Sequence, residues 1–91
     1  MGSYTIEILP TARKELLSLP GTVQERIGKK IDSLKDNPRP AGIKALRGKH
    51  GDFYRLRVGD YRILYDIRDK VLLVIVIKVG HRREVYRKVK L

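Results

Sequence analysis

The dipeptide Gly59-Asp60, inside DFYRLRVGDYRILYDI (residues 52–67), is the feature that most constrains the fold of this 91-residue chain. Glycine readily adopts the positive φ angle that a two-residue type II′ hairpin turn requires. The segments on both sides alternate in polarity and are rich in aromatic and aliphatic residues, which is typical of strands. The sequence therefore predicts a β-hairpin in which Val58 lies opposite Tyr61.

This register brings three arginines to one face of the hairpin. Arg57 lies opposite Arg62, and Arg55 shares their face because side chains alternate along a strand. The opposite face contains Tyr54, Leu56, Val58, Tyr61, Ile63, Tyr65 and Ile67. Like charges directly opposite on a sheet are destabilising. The cluster therefore indicates a phosphate site, to which the guanidinium group is well suited; the alternative is a solvated sheet face partly neutralised by Asp66.

Two helices are predicted between a first strand at 4–9 and a turn-rich loop at 36–42. The first covers 11–20, with apolar residues at helical spacing. In the second, Thr22 and Glu25 have the spacing of a capping box. Its apolar stripe consists of Val23, Ile27, Ile31 and Leu34. The residues of its opposite face, which is interpreted as solvated surface, include Arg26, Lys29 and Lys30.

The C-terminal half is predicted to complete a sheet. Residues 43–48 favour a short strand, and 71–80 favour an interior strand because they are apolar on both faces. Residues 81–91 either continue as a last strand or become irregular. The order β-α-α-β-β-β predicts a single α+β domain over 1–91, with two N-terminal helices packed on a small, mostly antiparallel twisted sheet.

Charge and composition narrow the functional classes. The net charge is +11, of which +9 falls in residues 44–91, so the partner is expected to be a polyanion. There is no cysteine, and two histidines with scattered carboxylates show no metal-ligand spacing, so we expect no metal and no cofactor. The apolar run 71–77 is too short to span a bilayer. No secretory leader is recognisable at the start, so we expect a cytoplasmic protein without a membrane partner.

A second group of polar residues occupies VGHRREVYR (79–87), directly after the most apolar strand. Histidine, here His81, is the residue type that changes charge near neutral pH. Arg82 adds a cation, and Tyr86 offers a phenol or a stacking surface for a base. Each also has an ordinary interpretation, as a loop histidine, a surface arginine and a tyrosine at a sheet edge.

The segments LRG (46–48), FYRLRVGDYRILYDI and VGHRREVYR together resemble the RelE toxins of bacterial and archaeal toxin–antitoxin modules, over nearly the whole chain. The resemblance implies a ribosome-dependent endoribonuclease that cleaves messenger RNA in the A site without a metal. It also implies a cognate acidic RelB-like antitoxin, and contact with DNA only through the antitoxin complex. In this reaction the ribose 2′-hydroxyl attacks the adjacent phosphorus and expels the 5′-oxygen of the next nucleotide.

The residues that match the family motifs receive roles from this resemblance. The expected catalytic set is Arg55, Arg57, Arg62, His81, Arg82 and Tyr86. The expected RNA-binding set is Arg47, Lys49, Arg83 and Arg87. Some relatives have lysines at the positions of Arg55 and Arg57, but arginine cannot lose its proton in a protein. A lysine general base therefore does not transfer to this chain, and His81 and Tyr86 are the candidates for proton transfer.

Two other functional classes compete with this hypothesis. A ParE-like relative would inhibit DNA gyrase and cleave no RNA. A non-enzymatic relative would bind RNA, the ribosome or an antitoxin through the same basic residues. The full basic set with the terminal tyrosine favours the ribonuclease.

Overall fold

The computed structural model describes residues 3–48 and 51–81. Along the chain the elements are β1 (Thr5–Ile8), α1 (Pro10–Leu17), α2 (Gly21–Ser33), β2 (Lys44–Gly48), β3 (Gly51–Val58), β4 (Tyr61–Arg68), a 3₁₀ turn (Asp69–Val71) and β5 (Leu73–His81). All predicted elements are confirmed in type, with boundaries shifted by one to three residues. The possible continuation of the chain as a strand beyond residue 81 lies outside the described residues.

The five strands form one sheet in the order β1-β5-β4-β3-β2. The β2–β3, β3–β4 and β4–β5 pairs are antiparallel, and β1 pairs with β5 in parallel. The expected α+β fold with a mostly antiparallel sheet is therefore confirmed. The predicted order β-α-α-β-β-β contains four strands, whereas the sheet has five. The additional strand arises because residues 44–48 form β2 beside both strands of the hairpin.

The predicted capping box at the start of α2 is wrong. Pro20 occupies the N-cap position with extended backbone angles (φ −54°, ψ 146°), so the helix begins at Gly21. Thr22 and Glu25 consequently lie inside the helix, and no side chain caps its first turn. The connection from α1 is held instead by Gln24, whose amide donates hydrogen bonds to the carbonyls of Leu17 and Leu19.

The helices cover one face of the sheet and form the main core with it. The helical side of the core contains Ala12 of α1 together with Ile27, Ile31 and Leu34 from the apolar stripe predicted for α2, whose fourth member, Val23, is partly buried against it. The sheet contributes Leu56, Val58, Ile63, Tyr65, Ile67, Val74, Val76 and Val79. Phe53 and Leu64 form a second, small cluster on the other face, with Leu46 and Ile77 packed against it. Among the described residues, no helix is long and apolar enough to cross a bilayer.

The loop after α2 is fastened to the sheet by polar contacts. The Tyr65 hydroxyl donates a hydrogen bond to the carbonyl of Pro38 (2.8 Å). Arg39 donates two hydrogen bonds to the carboxylate of Asp69 (3.0 and 2.8 Å), which also accepts one from the Tyr4 hydroxyl (2.6 Å). Asp69 therefore links the N-terminal strand, the loop and the β4–β5 turn.

Candidate phosphate-binding site

The β3–β4 hairpin has the register predicted from its turn. Gly59 has φ +60°, as the first central residue of a type II′ turn requires. Arg57 pairs with Arg62, and Arg55 pairs with Leu64. The three arginines therefore share the sheet face that lies opposite the helices, which we call the arginine face (Arg55, Arg57 and Arg62).

The arginines differ in their exposure. Arg57 is exposed and Arg55 is partly buried. Arg62 is only 6% exposed, and its Nη1 donates a hydrogen bond to the carbonyl of Tyr61 (3.2 Å). Across from Arg62, strand β5 places Gly80. Arg62 is thus a buried cation that is paired across the hairpin with an exposed one.

Lys44 belongs to the same surface and was missed by the sequence analysis. It is exposed and lies directly opposite Arg55 in the β2–β3 pair, so the two side chains share a face. Lys44 is eleven positions from Arg55 along the chain, so only the pairing of β2 with β3 shows that the two side chains are neighbours. The arginine face is therefore flanked by a fourth cation.

Asp66 also lies on this face, as expected, but its carboxylate accepts hydrogen bonds from residues next to it in β4 rather than from the three arginines of the arginine face. One oxygen accepts a hydrogen bond from Arg68 Nε (2.6 Å), and the other accepts one from its neighbour's backbone, the N–H of Ile67 (2.8 Å). Asp66 therefore offsets the charge of Arg68, a cation that the sequence analysis did not include in the cluster.

Two of the predicted site residues lie apart from the arginine face. His81 pairs with Tyr61, and their rings make an edge contact with centroids 5.7 Å apart. Because Gly80 is the residue opposite Arg62, His81 belongs to the alternate face at the end of β5. Arg47 lies opposite Asp52, is 93% exposed in its side chain, and also belongs to the alternate face. It is separated from the level of Arg57 by about 16 Å of strand, at about 3.3 Å per residue.

The remaining predicted residues, namely Arg82, Tyr86, Lys49, Arg83 and Arg87, lie outside the described residues. Their assigned roles stay predictions. Of the expected catalytic set, the structure brings together Arg55, Arg57 and Arg62.

A buried ion pair supports the end of β5 next to this site. Lys78 is 6% exposed, and its ammonium group bonds to Glu15 of α1. Glu15 also accepts a hydrogen bond from the backbone N–H of Val79 (3.1 Å). This N–H lies beyond the end of β1, where no strand of the described residues pairs with β5 on that side. The Glu15 carboxylate therefore supplies the acceptor that a neighbouring strand would otherwise provide. A lysine in the apolar run 71–80 was the only sequence signal for this pair.

The protein is thus a small α+β domain whose five-stranded sheet carries Arg55, Arg57 and Arg62 on the face opposite the helices. Within residues 3–48 and 51–81, no three potential metal ligands lie together.

Comparison with known proteins assigns the family. A family model described as the ParE toxin of the type II toxin–antitoxin system parDE matches residues 6–86. The chain is 38% identical over 88 residues to the mRNA interferase toxin RelE of Escherichia coli, covering 92% of this chain and 90% of that protein. It is 33% identical over 86 residues to the toxin RelG of Mycobacterium tuberculosis, covering 93% and 98%.

A solved structure agrees with this assignment. A chain of the archaeal RelE–RelB complex from Pyrococcus horikoshii superposes with a TM-score of 0.79 at 30% identity, over 91% of this chain and 99% of that chain. The protein therefore belongs to the RelE/ParE superfamily of toxins from type II toxin–antitoxin systems.

Proposed function

We propose that this toxin is a metal-independent, ribosome-dependent endoribonuclease that cleaves messenger RNA in the A site. The observation that carries the proposal is the cross-strand pairing of the exposed Arg57 with the buried Arg62 on the sheet face opposite the helices. Such a pair lowers fold stability when nothing anionic is bound, and it becomes favourable when a phosphate lies between the two groups. The 38% identity to a protein named an mRNA interferase supports the same activity.

The proposed reaction is an in-line transfer at phosphorus. The 2′-oxygen forms a bond to the adjacent phosphorus as its proton leaves, and the bond from phosphorus to the 5′-oxygen breaks as that oxygen gains a proton. The products are a 2′,3′-cyclic phosphate and a 5′-hydroxyl end. In this proposal Arg62, which donates a hydrogen bond to the Tyr61 carbonyl, stabilises the charge that develops on the phosphoryl oxygens.

Proton transfer is assigned to His81 and Tyr86. His81 lies at the end of β5 against Tyr61, on the alternate face from the arginines, so its role requires that the RNA reach around this end of the sheet. Arg82 joins Arg62 in stabilising the transition state. Positioning of the 2′-hydroxyl by the ribosome supplies a further part of the acceleration.

The proposed protein partner, which would keep the toxin inactive in growing cells, is an acidic antitoxin of the RelB type. A relative was solved as a RelE–RelB complex. A net charge of +11 favours rapid association with an acidic chain, and carboxylates near the arginine face would compete with RNA for the same donors. The proposed location is the cytoplasm, where both partners are available.

The decisive test is mapping of 5′ ends of messenger RNA on programmed ribosomes with an empty A site. We expect cleavage in the A-site codon that yields 5′-hydroxyl ends and is lost with Arg57→Gln and Arg82→Ala. Arg68→Gln is the matched control, because Arg68 lies on the same sheet face but pairs with Asp66. Unchanged cleavage by Arg57→Gln would refute the role of the arginine face.

Inhibition of DNA gyrase is the second candidate, because the matching family model is described as ParE. It predicts that the folded protein blocks supercoiling of a relaxed plasmid and leaves ribosome-bound messenger RNA intact. A supercoiling assay run beside the 5′-end mapping separates the two activities.

A further inference from the structure

A second basic surface lies on the helical side of the hairpin end. An open groove of about 380 Å³ is lined by Arg26, Lys29, Lys30, Ser33 and Val58, and we call it the α2 groove. Its three cations come from a little more than one turn of α2, and all three are exposed. Among the described residues, none of them forms an ion pair within 4 Å.

The tip of the hairpin joins this groove to the arginine face. The Arg26 guanidinium lies against the turn, with Nη2 3.3 Å from the position that a Cβ on Gly59 would occupy. Val58, the residue before this turn, borders the groove, and its neighbour Arg57 belongs to the arginine face. The end of the hairpin therefore has cations on both faces of the sheet, namely Arg26 on the helical side and Arg57 on the arginine face.

The chemistry of the groove fits a phosphate backbone better than an acidic protein segment. Three cationic groups stand on its lining, and the Ser33 hydroxyl already donates to the Lys30 carbonyl. The lining exposes more apolar than polar surface, and because Val58 is nearly buried this apolar surface belongs mainly to the lysine and arginine stems. An amphipathic helix needs apolar pockets for its anchors. Val58 is only 7% exposed, and the large exposed hydrophobics of the described chain, Leu17, Val71 and Leu72, line other surfaces.

We propose that the α2 groove binds backbone phosphates of structured RNA outside the cleaved codon. This inference rests on the proposed function and extends it, since ribosomal RNA would be the RNA that surrounds a toxin in the A site. The groove contributes to affinity for the ribosome, while the arginine face acts on the scissile phosphate. Lysine and arginine stems can lie along the groove and still extend their charges to separate phosphates.

The test compares two triple variants with equal loss of charge. Arg26→Gln/Lys29→Gln/Lys30→Gln removes the groove cations, and Arg13→Gln/Lys14→Gln/Lys70→Gln removes three exposed cations elsewhere. Glutamine keeps helix propensity, and circular dichroism with thermal unfolding verifies both folds. Affinity is measured for 70S ribosomes programmed with a messenger RNA whose A-site codon carries 2′-deoxy residues, so that the 2′-attack cannot occur.

The expected result is specific to the groove variant. Three lost phosphate contacts lower the slope of log Kd against log salt by about 2, which corresponds to a Kd raised by about 10- to 100-fold at 0.1 M salt. On cleavable messenger RNA its KM rises while kcat stays within about twofold of the wild type. The control variant is expected to change Kd by less than about threefold.

Other outcomes overturn the inference or isolate its failure. Equal weakening by both variants would show that only net charge matters. Unchanged ribosome affinity with weakened binding of a purified acidic antitoxin would assign the groove to the protein partner. If the wild-type protein binds ribosomes but cleaves nothing, the proposed activity is refuted. The comparison of Kd values between the two triple variants still tests whether the α2 groove binds RNA. Absence of ribosome binding by the wild type refutes both.

Discussion

Arg57 and Arg62 are direct cross-strand partners in the β3–β4 hairpin, and both belong to the sheet face opposite the helices. Facing cations in this position lower the stability of the free protein. The arrangement therefore separates the requirements of folding from those of ligand binding, and a substitution can improve the first while it abolishes the second.

Arg57→Thr is expected to stabilise the free protein and to abolish RNA cleavage. Threonine favours strands, and relief of the like-charge pair raises the free energy of unfolding by about 0.2–1 kcal/mol. Urea unfolding at low salt measures this gain, which should shrink at 1 M NaCl because salt screens exposed charges. Arg47→Thr, on β2 and beside Asp52, is the control and should give no such gain. A loss of stability in Arg57→Thr would contradict the prediction.

Lys78→Met is expected to lower the free energy of unfolding by about 2–4 kcal/mol, because it leaves the Glu15 carboxylate without its cation. Glu15 is one-fifth exposed in its side chain, which places the cost below that of a fully buried charge. The double variant Glu15→Gln/Lys78→Met should recover much of the loss, since glutamine can still accept the Val79 N–H. A double-mutant cycle with Glu15→Gln, Lys78→Met and the double variant should show a coupling energy of about 1–3 kcal/mol. Additive effects of the two substitutions would contradict a stabilising interaction between Glu15 and Lys78.

Asp69→Asn is expected to destabilise the protein at neutral pH and to have little effect in strong acid. Hydrogen bonds from Arg39, and then from Tyr4, lower the pKa of Asp69 to about 2 from its usual 3.8. A carboxylate with a lowered pKa contributes stability above its unfolded value, and this contribution is lost as the pH falls through the folded value. The difference between wild type and variant should therefore disappear between about pH 4 and pH 2.

The measurement is urea unfolding at several pH values for the wild type, Asp69→Asn and Asp36→Asn. Asp36 is exposed and forms no ion pair within 4 Å with a described residue, so its substitution controls for general charge effects. A deficit for Asp69→Asn that is the same at pH 2 and pH 7 would contradict the assignment.

Tyr65→Phe is expected to lower the free energy of unfolding by about 1–3 kcal/mol, because the Pro38 carbonyl loses its buried donor. Burial raises the pKa of Tyr65 to about 12. A raised folded pKa means that this stability is present below the unfolded value, near 10, and is lost as the pH rises toward 12. The wild-type advantage over Tyr65→Phe should therefore decline above pH 10, as denaturant unfolding at pH 8 to 11.5 can show.

Much of the fold could be predicted because its signals are local. The Gly59-Asp60 turn and the two-residue period of the flanking strands determine the pairing of Arg57 with Arg62. The apolar stripe of α2 likewise identifies the residues that enter the core. The start of α2 was placed wrongly because an extended Pro20 takes the N-cap position that a capping box would have given to Thr22.

The candidate site was predicted only where a single hairpin builds it. Local alternation placed Arg55 beside Arg57, whereas Lys44 joins them only through the β2–β3 pairing. His81 belongs to a separate group in the sequence, and the β4–β5 register sets it opposite Tyr61. Strand pairing between distant segments depends on how the whole sheet assembles, and no short-range pattern specifies it.

The hairpin, its register and the convergence of three arginines follow from turn chemistry and side-chain alternation, which act over a few residues. The contact of Arg26 with Gly59 and the contacts of Glu15 with Lys78 and Val79 depend instead on the packing of distant segments. Those contacts arise when the helices pack on the sheet to bury a shared apolar core. The packing angle and depth, rather than any local pattern, set which surface cations meet.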